Sequence, residues 1–106
     1  MYKISFYVPM TDCDTVKQAM FAVGAGQLGN YDCVAWQVKG LGQFRPLAGA
    51  KPAIGETNTL TQVEEYKVEM CCQPQHLAAA VAALKQAHPY ETPAIDVWPL
   101  VDIENL

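Results

Sequence analysis

Apolar and polar residues alternate along "YKISFYVP", with Tyr2, Ile4, Phe6 and Val8 on one side and Lys3, Ser5 and Tyr7 on the other. A period of two is that of a half-buried β-strand, and Pro9, which offers no N–H to a ladder, marks its end. The period then lengthens. Thr11 suits an N-cap, Asp12 and Asp14 suit the positive end of a helix dipole, and Val16, Ala19, Met20 and Val23 recur at helical spacing. "NYDCVAWQVKGLGQFRPL" reads as two strands around Gly40 and Gly42. Tyr31, Cys33 and Ala35 lie on one face of the first, and Val34, Trp36 and Val38 on the other. Apolar residues on both faces suit a central strand. Past the turn residues of "LAGAKPAIGETNT", Tyr66, Val68, Met70 and Cys72 alternate with Glu65, Lys67, Glu69 and Cys71, a long strand with one wet face. Pro74 fits the first turn of a second helix, whose stripe is Leu77, Ala80, Val81, Leu84 and Ala87 and which Pro89 ends. Residues 94–101 form the last strand.

The order β-α-β-β-β-α-β matches two split βαβ units with an extra strand or hairpin around residues 41–47. The expected fold is α+β and ferredoxin-like: an antiparallel sheet with two helices on one face, built as one domain over residues 1–106. With seven basic residues and a net charge of −4, the chain has no source for a phosphate-tracking surface, so nucleic acid is not an expected partner. No apolar run approaches membrane-spanning length and no signal-peptide pattern opens the chain, so a cytoplasmic protein with no membrane partner is expected. The four cysteines show no CxxC spacing and are read as free thiols.

Candidate chemistry is sparse. "GAGQLG" at residues 24–29 has the spacing of a dinucleotide-binding loop, but it follows a helix where that loop must precede one, so it reads as a helix C-cap and tight turn. Cys13 is flanked by Asp12 and Asp14, which oppose a thiolate, and reads as a buried or inert thiol. Cys71 and Cys72, adjacent on a strand, point to opposite faces, with Cys72 in the core. His76 reads as a solvated residue in the first turn of the second helix. His88 ends that helix, and Pro89 turns it out of helical geometry so that its ring can meet Glu91 near the exposed rim of a rigid corner. On that reading the loss of His88 costs the fold little.

The phrases "VGAGQLGNYDCVAW", "GQFRPLAGAKPAIGE", "VEEYKVEM" and "ALKQAHPYETPAIDVWPL" together resemble the inserted middle domain of the NIF-three-like, or YqfO-like, family. The resemblance covers nearly the whole chain. It implies a build like that of the trimeric PII signalling and CutA cation-tolerance proteins, and in longer members such a domain interrupts a pair of halves holding a dinuclear metal centre. This sequence resembles the insert alone and has only two histidines, so the family's hydrolase-like or cyclohydrolase-like names are not expected to transfer. The resemblance singles out Asp32, Arg45, Glu65, His88 and Glu91 as polar residues that packing does not explain, and its last phrase also includes Tyr90. If the fold gathers them, Asp32, Arg45 and Tyr90 would bind a small, anionic ligand, while His88, Glu91 and Glu65 would hold a divalent metal ion, the one cofactor the donors suggest. No complete nucleophile, base and oxyanion set is present, so a noncatalytic binding or regulatory domain is expected. It would act as a homo-oligomer, with a trimer favoured and a dimer second. Two alternatives stand beside it: a small metal-dependent enzyme using the His/carboxylate set, and a protein-interaction module.

Overall fold

A computed structural model describes all residues 1–106. Strand β1 (Tyr2–Pro9) leads through a short 3-10 turn into helix α1 (Cys13–Ala22). Strands β2 (Trp36–Phe44) and β3 (Thr61–Cys72) follow, then helix α2 (Leu77–Ala87) and strand β4 (Ile95–Pro99). The sheet has four strands in the order β2-β3-β1-β4, all neighbours antiparallel. Two βαβ units interleaved in this order are the ferredoxin-like plan.

The alternation in the sequence sets which face is buried. Ile4, Phe6 and Val8 of β1 pair across to Met70, Val68 and Tyr66 of β3, so these side chains share one face. Except for the half-buried Tyr66, they are sealed against Val16 and Met20 of α1 and Ala80 and Leu84 of α2. Burying such a side chain stabilises by about 1.5–3 kcal/mol, so this single apolar layer supplies most of what holds the fold. Cys13 and Cys72 belong to it, and Cys71, on the opposite face, is only half-buried, as the strand period requires. Burial pushes the Cys13 thiol up; Lys17 pulls it down and Asp14 adds to the rise. Burial likewise raises the Cys72 thiol, with Cys71 adding to it.

Several expected details differ. No extra strand or hairpin separates from β2: residues 36–44 are one strand that runs through Gly40 and Gly42. Nor is β2 central. It is an edge strand, residues 31–35 precede it outside the sheet, and Trp36 is 58% exposed. The expected second apolar face of Tyr31, Cys33 and Ala35 thus lies before the strand, and within β2 Trp36, Val38 and Phe44 share one face while Gln37, Lys39 and Gln43 lie on the other. Thr11 does not cap α1, whose N-cap is Asp12 without a side-chain cap bond; the Thr11 hydroxyl donates to Asp12 Oδ2 at 3.3 Å. The last strand is shorter than expected, Ile95–Pro99.

"GAGQLG" is a turn. Gly24 and Gly26 take positive φ, +106° and +76°, past the end of α1. The Gly26 N–H reaches the Cys71 carbonyl at 2.8 Å and pins the loop to β3. A β-carbon on Gly24 would meet the His76 ring at 2.6 Å, so His76 is half-buried on that glycine and not simply solvated. No helix is long and apolar enough to cross a membrane.

Candidate functional site

β2 and β3 continue past the point where β1 ends: Gly40 pairs with Glu65, which also faces Pro9, but Gly42 and Phe44 pair with Val63 and Thr61 beyond it. This projecting ladder, the 45–60 connection and the corner after α2 enclose a cleft of about 690 Å³. Its position follows from the register. Val68, Met70 and Cys72 face the helices, so Glu65, Gly40, Gly42 and Phe44 lie on the helix-free face. Apolar walls come from Phe44, Tyr7, Pro46, Leu47 and Ile54, and the polar residues include Arg45, Glu65, Tyr90 and Glu91.

The Tyr90 hydroxyl donates to Glu65 Oε2 at 2.9 Å. Glu65 Oε1 lies over Gly42, where any β-carbon would overlap it. Gly42 therefore makes room for a carboxylate that reaches across from the next strand, which is why a glycine interrupts the alternation of β2 without breaking the strand. Phe44 packs at 6.3 Å between centroids from the Tyr90 ring, within the range of aromatic pairs. Desolvation by burial, the hydrogen bond to Glu65, the charge of Glu65 and that of Asp12 push the Tyr90 phenol well above its ordinary range. Tyr90 is thus held as a neutral donor. Glu91 Oε1 accepts the Lys51 N–H at 3.1 Å and ties the 45–60 connection to the corner.

His88 stands beneath this cleft, outside its lining. Only 6% exposed, it places Nε2 2.6 Å from the Tyr7 carbonyl, while Nδ1 accepts the Tyr90 N–H at 3.1 Å. An accepting Nδ1 fixes the neutral tautomer with the proton on Nε2, which then donates to Tyr7. The ring packs edge-on to Phe6 at 6.5 Å and against Tyr90 at 4.8 Å. Both nitrogens are spent on backbone, so the expected His88–Glu91 pairing at an exposed rim does not occur. The residues present do not fit a divalent ion. No three His, Cys, Asp or Glu side chains converge, and the expected set of His88, Glu91 and Glu65 is not assembled as a metal site.

Of the residues expected to bind a ligand, Arg45 and Tyr90 line the cleft together with Glu65 and Glu91. Asp32 does not. It is exposed in the connection before β2, whose first residue Trp36 pairs with Glu69, at the far end of that strand from Arg45. Sequence reasoning missed Tyr7, Phe44 and Gly42. Tyr7 and Phe44 look like ordinary strand residues, and only the glycine within an otherwise apolar strand hinted at a close approach.

No family model matches the chain. Over 95 residues it is 43% identical to the GTP cyclohydrolase 1 type 2 homolog of Mycobacterium tuberculosis, covering 90% of this chain and 25% of that protein. With the protein of the same name from Halalkalibacterium halodurans the identity is 40% over 102 residues, covering 96% of this chain and 27% of the other. The chain thus spans about a quarter of the length of the curated relatives it matches. Among solved structures, a Bacillus cereus protein related to NIF3 superposes with a TM-score of 0.82 at 33% identity, covering 95% of this chain and 26% of that one. CutA1 from Pyrococcus horikoshii superposes with a TM-score of 0.69 at 12% identity, over 97% of this chain and 86% of that one, a likeness of fold. Over nearly its whole length, the chain is thus similar to about a quarter of a protein related to NIF3, and it shares its fold with CutA1.

Proposed function

We propose that this is a noncatalytic binding or regulatory module, acting in the cytoplasm, that takes a small molecule in the cleft between the β2 end, the 45–60 connection and the 90–94 corner. One observation carries the reading: the cleft of about 690 Å³ brings an exposed Arg45 together with a Tyr90–Glu65 hydrogen bond already formed. Clefts of this size, mostly apolar with a few fixed polar groups, are where proteins hold small ligands. Its groups suit holding and not turnover, since no thiol or hydroxyl nucleophile lies beside a histidine in it. The names of the relatives describe proteins about four times as long, and a cyclohydrolase role is not carried over.

The module acts as a homo-oligomer, a trimer before a dimer. The helix-free face carries Trp36 and Val38 exposed on β2 and Trp98 exposed on β4, the two edge strands, which favours a partner surface. Thermal-shift measurements with single amino acids, nucleotides, dicarboxylates, polyamines and divalent metal ions test the binding claim. At least one compound should raise the melting temperature of the wild type and fail to do so for Arg45→Ala with Tyr90→Phe; no response to any compound would contradict it. Size-exclusion with light scattering tests assembly, and a strictly monomeric species would contradict that part.

A further inference from the structure

The ionisable side chains lining the cleft, phenols apart, are Arg45, Glu65 and Glu91, two carboxylates against one guanidinium. None of the three takes part in an ion pair: the four present join Lys3 and Lys67 to Glu69, Lys17 to Asp14 and Lys39 to Glu64. Glu65 is half-buried, and only its Oε2 receives a donor, from Tyr90. Glu91 likewise uses only Oε1, for the Lys51 N–H. One oxygen of each carboxylate is left for something else. Beside them stand the rings of Tyr7, Phe44 and Tyr90.

Carboxylates next to aromatic faces are complementary to an organic cation, which gains from both ion pairing and the ring quadrupoles. A polyanion has the opposite fit. It would meet one favourable charge and two unfavourable ones in a partly desolvated cleft, and like-charge juxtaposition weighs against a partner strongly. Arg45, exposed and unpaired, then suits an acid group on the same molecule.

Resting on the binding role proposed above, we infer that the cleft selects a zwitterionic small molecule: a guanidinium or ammonium end for Glu65 and Glu91 among the aromatic rings, and a carboxylate end for Arg45. This revises the expectation of an anionic ligand. L-Arginine, agmatine, which is the same cation without the acid, and glutarate, which has acid groups without the cation, are the probes. Calorimetric titration of the full chain should show L-arginine binding roughly tenfold tighter than agmatine, the loss of one charge-assisted hydrogen-bonding group, and glutarate weaker than either. Arg45→Ala should equalise L-arginine and agmatine. Glu91→Gln, at an exposed position, and Glu65→Gln should each weaken both by roughly tenfold; circular dichroism verifies folding, and Glu91→Gln alone decides should Glu65→Gln unfold.

Glutarate binding more tightly than both cations would overturn the inference while leaving a ligand-binding cleft in place. Absence of binding by L-arginine and agmatine at millimolar concentration, with a nucleotide or dicarboxylate bound and lost in Arg45→Ala, would do the same. Silence towards every probe and every compound of the thermal-shift set would bring down the binding role itself.

Discussion

Replacing His88 by alanine is expected to destabilise the fold severely, because the ring is a backbone clamp at the point where α2, β1 and the 90–94 corner meet. Two hydrogen bonds vanish: Nε2 to the Tyr7 carbonyl at 2.6 Å and the Tyr90 N–H to Nδ1 at 3.1 Å. Each strands a partner in a part-buried setting, at about 1 kcal/mol apiece near the low end of the range for unsatisfied groups. Loss of the ring's packing on Phe6 and Tyr90 adds about 1 kcal/mol, the scale of an aromatic pair. The total is about 3 kcal/mol. At roughly 4–8 °C per kcal/mol for a chain near this size, the melting temperature should fall by about 12–24 °C. His88→Gln, able to keep a donor near Tyr7, should lose about half as much. Urea unfolding at one fixed protein concentration measures it, since assembly would otherwise contribute. A loss below about 1 kcal/mol for His88→Ala would refute the clamp and restore the exposed corner that the sequence suggested.

Gly42→Ala should displace the Glu65 carboxylate, which lies where the new methyl group must go, and cost ligand binding more than stability; equal binding in titration would show that Glu65 is not held there. Stability should also fall at alkaline pH. The Cys13 and Cys72 thiols and the Tyr90 phenol are all raised in the folded state. Their contribution is complete below the ordinary thiol value of 9.0 and is lost as the pH climbs towards the folded values. Melting curves from about pH 8 to about pH 10.5 check the sign, and a flat or rising melting temperature would contradict it. Among the thiols, Cys33 is exposed, Cys71 half-buried, and Cys13 and Cys72 buried. Mass spectrometry after brief iodoacetamide treatment should find Cys33 alkylated first, and early labelling of Cys72 would contradict the core assignment.

The period-two pattern of β1 and β3 and the stripes of α1 and α2 made the layered fold legible, because each of those elements buries one face against a single core. β2 misled for a physical reason: Tyr31, Cys33 and Ala35, which suggested a second buried face, lie before the strand, and Gly42 makes room for the Glu65 carboxylate instead of forming a turn. Four of the six candidate site residues, Arg45, Glu65, Tyr90 and Glu91, come together at the cleft. His88 fails as a ligand although it adjoins the site. Sequence spacing placed it beside Glu91, but it could not show that the end of β1 offers a carbonyl to one ring nitrogen while Tyr90 offers its N–H to the other. Asp32 fails because the expected break at Gly40 and Gly42 would have turned the chain back towards it, whereas one continuous strand holds residues 32 and 45 at opposite ends.

Where a bound molecule sits decides the central claim. The compound that most raises the wild-type melting temperature should be titrated into ¹⁵N-labelled protein while the backbone amides are followed. The account predicts shifts concentrated in residues 42–47, 50–54, 65 and 90–94, and their loss in Tyr90→Phe combined with Arg45→Ala. Shifts concentrated instead around residues 24–35 and Asp32, or on the exposed sides of α1 and α2, would contradict it.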